Sequence, residues 1–519
     1  MITQDSKLTI KRTLCPFCGY GCELGIVFDD FGIKGVEYLK DTPNQGRICP
    51  RGSAAPVYLN HPKRLCVPVR EDKYTEWESI KSELAEILKE PETVAITLDR
   101  NLTIEEEVRV IGFAHRYGIK NIVSAYLEPE SGLRYFIDRQ SWASIEEIGK
   151  SDMIIVVGDV FNYTPMISRD LINWRLADRK HRLVVVDSLR SHTAYFATDF
   201  LRVHPGTEGI LLLRLAGEKM PGFNIEEICG VSERTLDDIA QVFKTTENSL
   251  LILTLPFARS YEPQLILEGA RRLSSANKKI LPIFEFTPHF QLPPFGKIWN
   301  AVKDNKIKYL ITFGELFPFY YPQITNGLGQ IKAYATSTLR FKKYTQLPMA
   351  LNIEKSGTII TIGGERQLGG EIVPASGAQT IETLFKRCGL ESSEGQLPGC
   401  ELKFDVKEGI QRLKDRVQKR NLTLFGEKIA FHYMGLWEKP VLKLNPFDAR
   451  ELGVKENEPV VIESIMGKAK LQVKIMSEVP RGTVFTQPET PEVRGLFAYE
   501  LVGDFVNFIP TEVQIWPVE

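Results

Sequence analysis

The sequence predicts an α/β protein of several domains: a small cysteine-bearing domain over residues 1–66, two doubly wound α/β lobes over 67–389, a connecting segment over 390–420 and a β-barrel over 421–519. Three observations predict it. Four cysteines are gathered near the start of the chain, short apolar strands alternate with amphipathic helices through the middle, and short strands with regular turns fill the last hundred residues. At 519 residues the chain exceeds one ordinary core, and 43% apolar residues suffice to fill several.

The cysteines form the pattern C-x2-C-x3-C-x26-C, with Cys15, Cys18 and Cys22 on one loop and Cys49 in Ile48-Cys49-Pro50-Arg51-Gly52. Three thiolates within eight residues can converge on one inorganic centre but cannot pair efficiently with one another. A cubane 4Fe–4S cluster takes four thiolates from protein. Structural zinc also takes four, but usually from two separated pairs. Three ligands together and one distant fit the cluster better, and Gly19 and Gly21 let the backbone wrap closely and aim N–H groups at the sulfurs. The other cysteines, Cys66, Cys229, Cys388 and Cys400, are scattered and read as reduced structural thiols.

Charge excludes some partners. Lys plus Arg (65) and Asp plus Glu (66) nearly cancel, so nothing draws the whole chain to nucleic acid or an anionic membrane. The first residues carry no apolar signal region or twin arginine, and no run of 18 apolar residues occurs, so a cytoplasmic protein without a membrane span is expected.

In chain order, Leu24–Phe28 and Ile33–Glu37 read as a hairpin across Asp29–Gly32, followed by a helix over 77–89. A strand at Thr93–Leu98, a helix over 103–117 and a strand at Asn121–Val123 begin the winding. Met153–Val157 ending at Gly158, a helix over 166–178 and Leu183–Val186 ending at Asp187 form a crossover unit with ligand positions at its strand ends. Gly158 reads equally well as a plain turn, whereas Asp187 can accept from a ribose or a guanine edge. A G-x-G-x-x-G fingerprint is absent, which argues against a nicotinamide site.

His204-Pro205-Gly206-Thr207-Glu208 opens a helix whose N-terminus suits a phosphate or polar heterocycle, or is simply capped. Residues 249–345 repeat the winding as a second lobe, with Gly314 after Tyr309–Phe313 as the counterpart of Gly158. Residues 390–400 are rich in Ser, Glu and Gly and read as an exposed connection. Beyond 421, Asn445-Pro446-Phe447-Asp448-Ala449 precedes Pro459–Glu463, the alternating run Ala469–Ile475 and the turn Pro480–Gly482, a barrel pattern.

The cysteine spacing, Pro205–Glu208, Glu354–Arg366 and Asn445–Gly453 together resemble the molybdopterin oxidoreductases, especially formate and formylmethanofuran dehydrogenases. The resemblance covers nearly the whole chain and implies a double-psi-like barrel that binds a pterin dinucleotide. It implies a 4Fe–4S cluster on Cys15, Cys18, Cys22 and Cys49, and molybdopterin guanine dinucleotide with Mo or W. It implies cofactor contacts from Arg51, Gly158, Asp187, Pro205, Gly206, Thr207, Glu208, Gly314, Asn445 and Asp448. Arg51 stands where relatives carry lysine, and Glu208 where they carry aspartate.

One departure bears on activity. Formate dehydrogenases place a cysteine or selenocysteine on the metal, with a histidine beside it, in the segment after the 121–123 strand. Ser124–Leu133 has neither. Either Glu128, Glu130 or Ser131 supplies an oxygen ligand, or the chain carries electrons without the metal chemistry. The second alternative is similar to the large peripheral subunit of respiratory complex I, and implies partners with iron–sulfur or flavin centres in a hetero-oligomer.

Overall fold

The structure is a computed structural model, which describes residues 8–125, 127, 129–220, 222–287, 289–314, 321–323, 331–341, 344–369, 377–395, 404–417, 421–430 and 439–518. The chain divides into two compact units: Met1–Leu127 with Glu285–Cys400, and Glu128–Phe284 with Glu401–Glu519.

The first unit begins with a three-stranded antiparallel sheet, Thr9–Leu14, Glu23–Asp29 and Gly32–Glu37 in sequence order. The last two strands are the expected hairpin. The first was missed, because Thr-Ile-Lys-Arg-Thr-Leu alternates too weakly to stand out from a polar terminus. The loop joining the first two strands carries three of the cysteines, and its ends are clasped by Cys15 N–H donating to the Cys22 carbonyl at 2.8 Å.

The same unit holds a seven-stranded sheet in the order Lys73–Tyr74, Val69–Arg70, Thr345–Pro348, Lys332–Ser337, Tyr309–Phe313, Val94–Leu98, Asn121–Ser124. The last five of these run parallel to one another. Every residue of Val94–Leu98 is buried, as a strand covered on both faces requires. The helix Ile104–Arg116 crosses back over it and starts with a capping box, the Thr103 hydroxyl receiving the Glu106 N–H while the Glu106 carboxylate receives the Thr103 N–H.

The second unit has a five-stranded parallel sheet in the order Asp199–Arg202, Arg182–Asp187, Met153–Val157, Ser249–Thr254, Lys278–Ile283. Counted along the chain this is third, second, first, fourth, fifth, with the winding reversing between Met153–Val157 and Ser249–Thr254. Ligands of such sheets bind outside the carboxyl ends of the strands at that reversal. The unit also holds a closed six-stranded barrel of Thr423–Gly426, Thr483–Thr486, Val441–Leu444, Lys468–Ile475, Pro459–Ser464 and Thr511–Pro517.

Two α/β lobes and a barrel therefore stand as expected, but strands are shared between the lobes differently. Val94–Leu98 pairs with Tyr309–Phe313 rather than with Met153–Val157. Hydrophobic periodicity shows that a strand exists but not which neighbour it chooses, since all these buried runs are interchangeable in pattern. Among the described residues no helix is long and apolar enough to cross a membrane.

Candidate functional site

In the first unit the cysteine loop is braced from several sides. Asn44 accepts from the Glu23 N–H at 2.9 Å and donates to the carbonyls of Glu23 and Arg47 at 3.0 and 2.9 Å, fixing the far end of the loop. Ile362 N–H donates to the Gly19 carbonyl at 2.6 Å from the hairpin Ser356–Thr361 and Gly364–Gly369. Gly21 has a φ of +71°, and a Cβ there would sit 2.7 Å from Thr361 Cγ2, so both its backbone and its surroundings require glycine. The Glu354–Arg366 segment thus supports the loop, with Arg366 also pairing with Glu23.

Cys49 occupies the N-cap of the short helix Pro50–Ser53, and Cys15, Cys22 and Cys49 are buried with Cys18 partly so. Burial, then the charges of Cys49 and Cys18, push the Cys15 thiol well up, and burial with its three neighbours does the same to Cys22. Cys18 is raised by burial, against which Arg51 pulls it down, while Glu285 adds to the rise. Thiols so placed ionise when cationic metal compensates their mutual repulsion, so binding releases protons. Among the described residues no three His, Cys, Asp or Glu side chains lie close enough to share one metal ion. A cubane asks for no such convergence, since each of its irons takes one thiolate.

In the second unit a cavity of about 190 Å³ lies at the winding reversal, lined by Val157, Gly158 and Asp159, by Asp187, and by Thr254, Leu255 and Pro256 from the three strand ends. Gly158 has a φ of +83° and lies directly under the Thr254 hydroxyl, which donates to the Val157 carbonyl at 2.6 Å. A side chain at Gly158 would displace that hydroxyl.

Asp187 is buried, and its Oδ1 receives Arg259 Nη2 at 2.6 Å and the Ser188 N–H at 2.8 Å. Arg259 also reaches the Ser188 hydroxyl at 2.6 Å and lies 4.7 Å over the Phe485 ring. Glu208 lines the cavity from the first turn of the helix Glu208–Leu215. Its Oε2 has no hydrogen-bond partner among the described residues, and burial pushes its carboxyl up to about 7 despite the pull of Arg259. A buried polar atom without a partner at a cavity wall fits a ligand that brings a donor, as a guanine edge does. Lys428 pairs with Glu489 at 2.9 Å and Lys443 with Glu427 at 2.6 Å along the barrel side of the cavity.

Of the sequence-predicted residues, Gly158, Asp187 and Glu208 share this cavity. Thr207 is fully buried and donates to the His204 carbonyl at 2.7 Å, and Gly206, at a φ of +86° beside Pro205, packs against Tyr261. Asn445 caps the helix Pro446–Glu451 by accepting from Phe447 N–H and donates to the Val479 carbonyl, while Asp448 accepts from Gly482 N–H at 2.8 Å. Both shape the barrel edge, where Val479 lines the cavity. Gly314 belongs to the first unit, where its N–H donates to the Thr336 hydroxyl at 2.8 Å. Arg51 is fully buried against the cysteine loop. Glu130 is fully buried and Ser131 half-buried in a 3-10 turn of the second unit, and Glu128 lies outside the described residues. Sequence reasoning missed Arg259, Lys428 and Lys443, none of which stands in a motif.

Two parts of this chain, the cysteine-loop domain and a stretch of the barrel region, match models of molybdopterin-oxidoreductase domains. Residues 8–61 match the molybdopterin oxidoreductase Fe4S4 domain, and 432–501 the Molydopterin dinucleotide binding domain. Among its relatives is the F420-dependent formate dehydrogenase subunit alpha of Methanocaldococcus jannaschii, 25% identical over 47% of this chain and 42% of that one. Another is the NADPH-Fe(3+) oxidoreductase subunit alpha of Geobacter sulfurreducens, 23% identical over 44% of this chain and 29% of that one. The chain spans less than half the length of these relatives. Acetylene hydratase from Pelobacter acetylenicus has the same fold, with a TM-score of 0.70 at 15% identity, covering 98% of this chain and 100% of the hydratase.

Proposed function

We propose that the chain is an iron–sulfur subunit of a formate-dehydrogenase-like redox complex in the cytoplasm, in which Cys15, Cys18, Cys22 and Cys49 hold one 4Fe–4S cluster and pass electrons to partners bearing iron–sulfur or flavin centres. The carrying observation is the clasped loop, whose three thiols burial holds in the protonated form until a cation compensates them, with the fourth cysteine beside it at a helix N-cap. A bound cluster supplies one-electron storage. The residues supply the setting: Asn44 and Ile362 brace the loop, and burial keeps water from Cys15, Cys22 and Cys49.

The cavity around Glu208 and Arg259 takes the guanine end of a molybdopterin guanine dinucleotide carrying Mo or W. Glu208 Oε2 accepts from the base, Gly158 keeps the floor open, and Asp187 holds Arg259 in place. Pterin contacts from Pro205, Gly206, Thr207, Asn445 and Asp448 belong to the same proposal, with Thr207, Asn445 and Asp448 acting through the backbone they brace.

Because Ser124–Leu133 offers the metal neither cysteine nor histidine, formate oxidation by this chain alone is not expected. A second proposal, catalysis on formate or a formyl carrier with an oxygen ligand, is favoured by the full burial of Glu130. Iron, molybdenum and tungsten content, measured with formate-dependent dye reduction on anaerobically purified protein, separates the two. Vigorous turnover abolished by Glu130→Gln with the iron intact would establish the second and sink the first.

A further inference from the structure

Arg51 is at 0% side-chain exposure, and a permanent charge survives such burial only where acceptors and opposite charge surround it. Its Nη1 donates to the Phe17 carbonyl, inside the cysteine loop, at 3.4 Å, and to Glu285 Oε1 at 3.3 Å. The other oxygen of that carboxylate, Oε2, accepts from Arg100 Nη1 at 3.4 Å. Glu285 and Arg100 are themselves 9% and 10% exposed, and all three residues lie in the first unit. These distances sit at the long end of hydrogen bonding, so the arrangement works through charge more than through tight bonds.

Arg100 is anchored independently. It follows Asp99 directly after the strand Val94–Leu98, its N–H held by Asp99 Oδ1 at 2.7 Å. One carboxylate therefore joins Arg100, just past the end of the strand Val94–Leu98, to Arg51, which in turn reaches the loop between Cys15 and Cys18. Both guanidiniums keep their charge at any working pH, so this buried trio carries a fixed field.

We infer that Glu285 is a positioning residue that, with Arg100, aims Arg51 at the cysteine loop and sets the net charge met by an electron arriving there. The inference rests on the proposed cluster on those cysteines. An added electron is favoured by nearby positive charge and opposed by negative charge, most strongly where water is excluded. Two arginines and one glutamate meet beside the loop, with the buried Asp99 carboxylate on the N–H of Arg100. Neutralising the glutamate adds one positive unit to that balance, and neutralising Arg100 takes one away.

The test is a potentiometric titration of the cluster's paramagnetic signal in the full chain, alongside iron content. Glu285→Gln, nearly isosteric, should keep its iron and raise the ratio of reduced to oxidised cluster at fixed potential about tenfold, which is about +59 mV for a one-electron couple. Glu285→Asp should restore a midpoint close to that of the unmodified chain, and Arg100→Gln should move it the opposite way. A full complement of iron with an unmoved midpoint in Glu285→Gln overturns the inference and leaves the cluster assignment standing. If Glu285→Gln assembles no cluster, Arg100→Gln decides, a lowered midpoint supporting the inference and an unchanged one overturning it. An unmodified chain that binds no iron overturns the cluster assignment and this inference with it.

Discussion

Replacement of Glu208 by glutamine separates a ligand-seeking carboxyl from an ordinary buried one. Burial holds this group at about 7 in the folded chain against an ordinary 4.5. A folded-state value above the unfolded one means that folding favours the protonated form, so stability is fully present below pH 4.5 and is lost as pH rises through 7, then stays constant. At 1.36 kcal/mol per unit the complete loss is about 3 kcal/mol, of which roughly 2–3 kcal/mol falls between pH 5 and 8. The side chain is buried, so little of this is screened by solvent. Glutamine cannot ionise. Urea unfolding of both proteins across this range should therefore show the variant gaining on the parent as pH rises, by roughly that 2–3 kcal/mol, whatever constant offset the amide introduces. A difference that stays flat with pH would show that Glu208 is already ionised at pH 5 or finds a partner, and the argument for a guanine donor at its Oε2 would fall with it.

Two further outcomes follow from the cysteine loop. Cys18→Ala should abolish the iron-dependent visible absorption, while Cys66→Ala, outside the loop, should retain the full iron content; equal loss in both would refute the ligand set. Gly21→Ala places a side chain at a φ of +71° and 2.7 Å from Thr361 Cγ2, and should cost about 1–3 kcal/mol. Its absorption should bleach at a lower temperature than that of the parent, and an unchanged bleaching temperature would refute the claim that this turn is sterically closed.

What could be read from the sequence was what is local. Cys15, Cys18 and Cys22 sit within one turn of chain, so their spacing alone defines a loop, and the buried run Met153–Val157 announces itself as a strand by length and composition. The end of that strand could be named as a ligand position because Gly158 follows it at once. Partner choice was not legible. Arg51 and Glu285 are 234 residues apart, and nothing near either one signals the other. The hydroxyl of Thr207 looked available to a ligand from its place in Pro205–Glu208, yet it turns back onto the His204 carbonyl, a choice made by burial rather than by motif. Arg259 escaped notice for the converse reason: it gains its place only when Asp187 and the Phe485 ring are brought together by the fold.

The pairing of distant strands within the first unit carries a consequence for how the molecule is made. Val94–Leu98 leaves the ribosome more than two hundred residues ahead of its neighbour Tyr309–Phe313. At about 5–20 residues per second that is a wait of roughly 10–40 s with one edge bare. Pairings this distant also close slowly. Ile362, which braces the Gly19 carbonyl, emerges later still. The cysteine loop is thus synthesised long before the segment that braces it, and its shape is settled only once Ile362 has emerged and reached the Gly19 carbonyl.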